Sequence, residues 1–201
     1  MSIPVTLAVE DVLSEAVTKQ LIADANPEMV IDQVIGRQGF GFLKNKLRAL
    51  NHAAHNGIVS VMVADLDTHE CPERLRRNWF DLNLHPNLIF RVAVKEIEAW
   101  LLADAVGMSE FMGIPEGRIP SAVDQVENPK EVVVNLARRS RRASLRKALV
   151  PAVGSSSSVG LEYNDFMLEY TRSFWSLGRA LERSGSLRRA HAAIRGFRFV
   201  E

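Results

Sequence analysis

Two hydrophobic periodicities alternate along the first half of the chain. Short runs of β-branched and apolar residues predict strands, and apolar residues at three- and four-residue spacing predict amphipathic helices. Strands and helices that alternate in this way imply βαβ crossovers and a parallel sheet. The predicted strands are 4–9, 29–35, 58–64 and 88–94, and the predicted helices are 11–25, 42–54, 72–82 and 96–112.

The third predicted strand is the most apolar of the four. Residues 58–64 contain one polar residue, Ser60, which indicates burial on both faces, as in a parallel sheet covered by helices. We therefore expect an α/β fold of the Rossmann-like kind, with a parallel sheet flanked by helices.

The pattern changes after Gly113. Residues 123–149 and 163–194 read as helices, separated by a Gly- and Ser-rich loop at 153–160. A chain of 201 residues suits one domain with a sizeable core. We expect a core at 1–112 and a C-terminal helical extension at 113–201 that packs on it, forming one compact domain.

Composition narrows the class of protein. Apolar residues make up 47% and charged residues 24% of the chain, which is an ordinary globular balance. Cys71 is the only cysteine, so no internal disulfide can form, which fits a reducing compartment. The N-terminal residues lack the basic lead of a signal peptide, and residues 58–64 are too few to span a bilayer. We expect a cytoplasmic protein without a membrane partner.

Acidic residues follow two of the predicted strands. Glu10 comes after the first strand, and Asp65 and Asp67 come after the third. Ligands of open parallel sheets bind where the strands end, and the two-residue strand period puts both aspartates on one side. Carboxylates gathered there repel one another unless a cation joins them, and Mg²⁺ or Mn²⁺ prefers oxygen ligands. The alternative is that these acids cap the following helices, although Asp11 and Thr68 could do so instead.

Several segments resemble one protein family. Residues 9–15 resemble the first motif of Toprim domains, in which a Glu follows strand one, and residues 64–67 resemble their Asp-x-Asp motif. Residues 94–104 (VKEIEAWLLAD) resemble the signature of the Toprim-like family catalogued as domain of unknown function 4276. Shorter similarities to that family lie at 128–130, 159–163 and 184–187.

This resemblance implies a Toprim-like fold and metal-assisted phosphoryl transfer on nucleic acid. Related Toprim nucleases, of the overcoming-lysogenisation-defect type, often work beside an ATPase, and the implied setting is phage defence or mobile-element conflict. Many have Gly directly after the first Glu and a second acid at the fourth position beyond it. Here those positions are Asp11 and Ser14, with Glu15 one further, so the number of metal ions stays open.

Glu96 and Glu98 follow the fourth strand. If the fourth strand ends near Lys95, Glu96 lies at the mouth of the site, and we expect it to be a further catalytic residue, as an additional ligand or general base. On a helix the two side chains would point about 200° apart, so only one would face a metal. The other would be a first-turn acid, which the helix dipole favours.

Basic residues are concentrated late in the chain. Residues 1–137 hold 12 Lys/Arg and 19 Asp/Glu, a net charge of −7, whereas residues 138–201 hold 13 and 5, a net charge of +8. This asymmetry favours nucleic-acid binding, with solvated helix faces as the alternative. The predicted phosphate contacts are Lys95, Lys130, Arg138, Arg139, Arg141, Arg142, Arg188 and Arg189.

Two functions follow from the sequence. The first is a Mg²⁺- or Mn²⁺-dependent nuclease or related phosphotransferase, with Glu10, Asp65 and Asp67 as ligands and Glu96 assisting. The second is a non-catalytic regulatory or interaction module that keeps the fold and acts through a partner ATPase.

Overall fold

The computed structural model describes residues 2–80 and 83–200. They form two compact units, a first unit of Met1–Val94 with Arg188–Glu201 and a second unit of Lys95–Leu187. The sequence predicted a boundary at residue 112 instead. The difference arises because the helices that follow residue 95 pack with the helices later in the chain.

A four-stranded parallel sheet forms the centre of the first unit. Its strands are β1 (Ile3–Val9), β2 (Met29–Gly36), β3 (Val59–Asp65) and β4 (Leu88–Ala93), in the order β2-β1-β3-β4. Every residue of β3 is buried, as its apolar sequence predicted. The predicted α/β class, a Rossmann-like parallel sheet flanked by helices, is confirmed.

Three helices of the first unit connect successive strands along the chain. They are α1 (Val12–Ala25), α2 (Phe40–His55) and α3 (Pro72–Trp79). The Asp11 side chain accepts the Ser14 N–H at 2.7 Å and caps α1. The helix predicted at 72–82 ends at Trp79 because Phe80 is extended, and residues 81 and 82 lie outside the described residues. One apolar face of α2, with Leu43, Leu47 and Leu50, joins the core, as its spacing predicted.

The second unit is helical. Its helices are α4 (Ile97–Leu102), α5 (Ala105–Met112), α6 (Pro129–Arg138), α7 (Ala143–Leu149), α8 (Tyr163–Ser173) and α9 (Leu177–Arg183), with 3-10 turns at Glu116–Arg118 and Val123–Gln125. A last helix, α10 (Gly185–Arg195), contains the boundary between the two residue ranges.

The long helices predicted beyond residue 96 are shorter in the structure. Asp104 ends the first of them, because its side chain accepts the Gly107 N–H at 3.0 Å and caps a new helix. Pro129 starts α6, since the residue before a proline is disfavoured in helical conformation. Ser176 and Ser184 divide 163–194 by accepting the N–H groups of Arg179 and Leu187.

The densest basic segment therefore does not lie on one helix. Residue 138 ends α6, residues 139–142 connect two helices, and α7 begins at residue 143. The buried Ser140 side chain donates to the Met112 carbonyl oxygen at 2.6 Å, which holds the connection in a non-helical path. The prediction of one helix over residues 123–149 is therefore wrong, because residues 139–142 are not helical.

Charge is almost balanced within each unit. The first unit holds 13 Lys/Arg and 12 Asp/Glu, and the second holds 12 of each. The asymmetry along the sequence is thus not an asymmetry between the compact parts. None of the helices in residues 2–80 and 83–200 is long and apolar enough to cross a membrane.

Candidate functional site

Glu10 and Asp65 meet where β1 and β3 end. The Glu10 Oε1 atom accepts the backbone N–H of Asp65 at 2.9 Å, and the two strands are neighbours in the sheet. Asp65 is the last residue of β3, rather than the residue after it, and is 8% exposed. All four parallel strands end at this edge, so two predicted carboxylates occupy the position where such sheets bind ligands.

Asp67 lies in a turn rather than in an extension of β3. Its φ is +48°, in the left-handed region, and its side chain is exposed while Leu66 is buried. The argument that a two-residue strand period puts both aspartates on one side is therefore wrong, because the strand ends at Asp65. Asp67 still follows Asp65 closely in the chain, at the same edge of the sheet.

The carboxylates form a pair rather than a closed cage. Within the described residues, no group of three or more His, Cys, Asp or Glu is arranged to hold a metal ion. Mg²⁺ is commonly bound through one or two carboxylates, with waters and substrate phosphates as its other ligands. The Glu10–Asp65 pair fits that mode of binding. Two carboxylates are too few for a site in which protein groups alone surround the metal ion.

Glu15 is engaged in ion pairs. Arg37 Nε lies 2.5 Å from Glu15 Oε2, and Lys19 Nζ lies 2.7 Å from Oε1. Burial alone raises the pKa of Glu15, but the hydrogen bonds and charges of Arg37 and Lys19 outweigh it, so the pKa is lowered. Both carboxylate oxygens of this extra acid have cationic partners, which suits a structural role better than a second metal site.

The ends of β1 and β2 are joined by close backbone contact. Gly36 has φ +114°, and a Cβ there would lie 1.9 Å from the Val9 carbonyl oxygen, so only glycine fits. Arg37 follows in the left-handed region at φ +60°, and its N–H donates to the same oxygen at 3.0 Å. This approach fixes the backbone immediately before Glu10.

His69 is a residue that the sequence did not assign to this edge. Its backbone N–H donates to the Leu66 carbonyl oxygen at 3.0 Å, and its ring Nδ1 lies 3.1 Å from the same oxygen. The ring stacks on Phe40 with centroids 5.4 Å apart. The Asp-x-Asp-x-His spacing of residues 65–69 was the available signal.

Glu96 has a structural contact in the second unit. Its Oε2 atom accepts the backbone N–H of Lys130 at 2.8 Å, in the first turn of α6. A carboxylate at this position satisfies a helix donor and suits the positive end of the helix dipole. The predicted catalytic role of Glu96 stays a prediction beside this contact.

Glu98 is the more deeply buried of the two glutamates, at 1% exposure. It accepts the Tyr163 hydroxyl at 3.1 Å, and Lys130 Nζ lies 3.5 Å from the same Oε1 atom. Three of the segments that carry the family resemblance, 94–104, 128–130 and 159–163, therefore meet in one polar cluster. Burial of a carboxylate is tolerated only where hydrogen bonds and an opposite charge accompany it.

The other predicted phosphate contacts have different surroundings. Lys95 Nζ lies 3.2 Å from Glu127 Oε2, and Arg138 Nη1 donates to Asn135 Oδ1 at 3.1 Å. Arg139 and Arg141 line a groove of the second unit. Arg142 is exposed at the N-terminus of α7, and Arg188 and Arg189 are exposed on α10, in the residue range of the first unit.

Arg189 also affects a partly buried arginine of β4. Burial lowers the pKa of Arg91, and the positive charge of Arg189 lowers that pKa further.

The fold and the acidic pair define an α/β protein with a Rossmann-like parallel sheet and two carboxylates at the edge where its strands end. No protein-family model, curated protein or solved structure matches the chain.

Proposed function

We propose that this protein is a Mg²⁺- or Mn²⁺-dependent nuclease or related phosphotransferase that acts on nucleic acid. The observation that carries the proposal is the 2.9 Å hydrogen bond from the Asp65 N–H to Glu10, at the edge where the parallel strands end. The resemblance to Toprim-like proteins supports the same activity and implies a setting in phage defence, and the single cysteine favours the cytoplasm.

Glu10 and Asp65 would hold the metal ion, with Asp67 approaching from its turn. The Asp65 N–H donates to one oxygen of Glu10 and so fixes the orientation of that carboxylate at the end of β1. A bound Mg²⁺ or Mn²⁺ would supply charge stabilisation for the phosphoryl group and an oriented water. Asp65 is buried, and in a site of low dielectric constant its charge attracts a cation more strongly than it would in water.

Glu96 remains the proposed assisting residue, and Lys95 and Lys130 remain proposed phosphate contacts. One oxygen of Glu96 accepts the Lys130 N–H within the second unit, and the catalytic role of Glu96 rests on the sequence alone. Lys130 is one-third exposed and lies beside buried Glu98, which holds its ammonium group in place.

The test is cleavage of labelled single- and double-stranded DNA and RNA, with Mn²⁺ and with EDTA. We expect cleavage only with the metal, reduced about 100-fold or more in Asp65→Asn, the loss typical when transition-state charge stabilisation is removed. Asp165→Asn, on an exposed face of α8, is the matched control and retains parental activity. Wild-type cleavage by Asp65→Asn would exclude the proposed site.

A regulatory module that works with a partner ATPase is the second function. The observation that favours it is that Glu96, Glu98 and Glu15 contact basic or backbone donors, as structural acids do. The chain would then be inactive alone and active only when mixed with its ATPase. Cleavage by the purified chain alone argues for the nuclease and against this module.

A further inference from the structure

An arginine-lined groove lies within the second unit. It has a volume of about 770 Å³ and lies beside the end of α5, the 3-10 turn after it and the connection between α6 and α7. Its charged lining consists of Arg118, Arg139 and Arg141 and one carboxylate, Glu110. Arg118 precedes the basic segment by 20 residues, so the sequence did not associate it with the other two.

The groove is built by a buried serine. Ser140 is 3% exposed, and its hydroxyl donates to the Met112 carbonyl oxygen at 2.6 Å and accepts the Arg142 N–H at 3.0 Å. Arg146 Nη1 also donates to the Ser140 carbonyl oxygen at 2.5 Å. These bonds attach the connection to the end of α5. The neighbours on both sides of Ser140, Arg139 and Arg141, are thereby presented to the same groove.

The three guanidinium groups of the groove are not neutralised. Across the described part of the chain, no ion pair or side-chain hydrogen bond involves Arg118, Arg139 or Arg141. Other arginines of this unit are engaged, as Arg179 is with Asp104. Positive charges that share a concave surface repel one another, and an anionic ligand removes that repulsion.

A purely structural role accounts for part of this arrangement. α5 ends at Met112 and α6 ends at Arg138, and cations are favoured near helix C-termini. Arg139 is the C-cap residue of α6, so the dipole explains its position. Arg118 lies in a separate 3-10 turn, beyond the last turn of either helix, and Arg141 lies past the end of α6. The dipole effect falls off within one turn and leaves these two unexplained.

We propose that the Arg118–Arg139–Arg141 groove binds the phosphate groups of a nucleic-acid strand. The guanidinium fork matches phosphate oxygens in a bidentate manner, and a groove that carries three such groups can follow successive phosphates. The described lining contains no aromatic side chain for base stacking, so binding is indifferent to base sequence. The choice of nucleic acid as the phosphate source rests on the proposed function, whereas phosphate recognition rests on the groove.

The experiment measures binding of the full chain to a labelled 20-nucleotide single strand and to a duplex of the same length, in EDTA. The groove variant is Arg118→Ala, Arg139→Ala and Arg141→Ala together. The control variant removes equal charge from exposed positions elsewhere, with Lys44→Ala, Arg172→Ala and Arg195→Ala. Thermal unfolding of each variant shows that it is folded.

We expect the groove variant to lose at least tenfold in affinity at 50 mM salt, with the control within twofold of the parent. The slope of log affinity against log salt should shrink by about 2 in magnitude, from three lost contacts at about 0.7 each for a single strand. Equal losses in the two variants, or parental binding by the groove variant, would overturn the proposal.

Two further arms keep the test decisive. Glu110→Gln removes the carboxylate of the lining, so it should raise affinity for the strand about two- to fivefold, and no change would count against the groove. Competition with AMP and inorganic phosphate identifies the phosphate source. Displacement of the strand by millimolar AMP as completely as by unlabelled strand would overturn the choice of a strand as ligand.

Failure of this inference is distinguishable from failure of the proposed activity. Binding in EDTA needs neither Glu10 nor Asp65. A chain that binds the strand through the groove and never cleaves it keeps this inference and loses the nuclease. A chain that cleaves with Mn²⁺ while the groove variant binds as the parent does keeps the nuclease and loses the groove.

Discussion

Glu10 accepts the backbone N–H of Asp65, so a side chain that follows β1 is tied to the last residue of β3. The two residues are 55 positions apart in the chain and belong to neighbouring strands. The bond has two consequences that are measured separately. It stabilises the edge of the sheet, and it fixes one carboxylate oxygen of the proposed metal site.

Glu10 variants separate stability from metal binding. Glu10→Gln keeps an acceptor oxygen for the Asp65 N–H, so its free energy of unfolding should stay within about 0.5 kcal/mol of the parent. Glu10→Ala removes the acceptor and should cost about 1 kcal/mol. Both variants should weaken Mn²⁺ binding by about tenfold or more. Urea unfolding and calorimetric Mn²⁺ titration measure these effects, and undiminished Mn²⁺ binding by Glu10→Gln excludes Glu10 as a ligand.

Glu15 predicts a loss of stability in acid. Because Arg37 and Lys19 lower its folded pKa below the unfolded value, its contribution is complete above the ordinary glutamate pKa of about 4.3. That contribution disappears as the pH falls through the lowered folded pKa. Glu15→Gln should therefore lower stability at pH 7 and flatten the dependence of stability on pH below about 4.3. Urea unfolding from pH 2.5 to pH 7 measures this, with Asp165→Asn as the control, and parallel curves for Glu15→Gln and parent contradict it.

Local signals predicted the sheet well. Continuous apolar sequence identified β3 because a strand buried on both faces has no polar period, and Asp11, named as an alternative helix cap, does cap α1. The Glu10–Asp65 pair followed from one geometric rule, that parallel strands end at one edge. These inferences need only the pattern of apolar residues within each segment and the shared direction of the parallel strands.

Other features depend on contacts between distant residues. The break at Ser140 is set by the Met112 carbonyl oxygen, 28 positions earlier, and Glu96 contacts the Lys130 N–H, 34 positions later. Charge summed along the chain does not describe the charge of each unit for the same reason, since the compact units group residues differently from their order in sequence. Arg118 was missed because its partners in the groove follow it by more than 20 residues.

Asp104 and Arg179 form an ion pair of the second unit in which the carboxylate is buried and the Arg179 side chain is 44% exposed. Asp104 is fully buried, and its carboxylate accepts the Arg179 Nε and Nη2 groups at 2.6 and 2.7 Å and the Ser176 N–H at 2.7 Å. Arg179→Ala leaves a buried charge with backbone donors alone and should cost about 3 kcal/mol. Arg172→Ala, at an exposed position, should cost less than about 0.5 kcal/mol. Chemical denaturation compares the two, and equal losses contradict the assignment.

Gly107 packs against the Asp104 carboxylate that Arg179 contacts, so a substitution of Gly107 also tests this network. A Cβ at this position would lie 2.5 Å from Asp104 Oδ2 and 2.6 Å from the Phe174 carbonyl oxygen. Gly107→Ala should therefore destabilise the protein by about 1–3 kcal/mol, despite the better helix propensity of alanine. Gly178→Ala, in α9, is the control, because its nearest atom would be 3.8 Å away, and it should be neutral or stabilising. Thermal unfolding should give a melting temperature below that of the parent for Gly107→Ala, and one equal to or above that of the parent for Gly178→Ala.

Variants of Asp67 show whether this residue serves the conformation of its turn, binds the metal ion, or does both. Its φ of +48° is tolerated by Asn and Asp, is easy for Gly, and is strained for Ala. Asp67→Ala should be less stable than Asp67→Gly by about 1 kcal/mol, whereas Asp67→Asn should unfold as the parent does. If Asp67 joins Glu10 and Asp65 in holding the metal, Asp67→Asn keeps the turn and still loses about tenfold or more in Mn²⁺ affinity. Calorimetric titration of Asp67→Asn decides the point: parental affinity assigns the residue to the turn alone and leaves the site with two carboxylates.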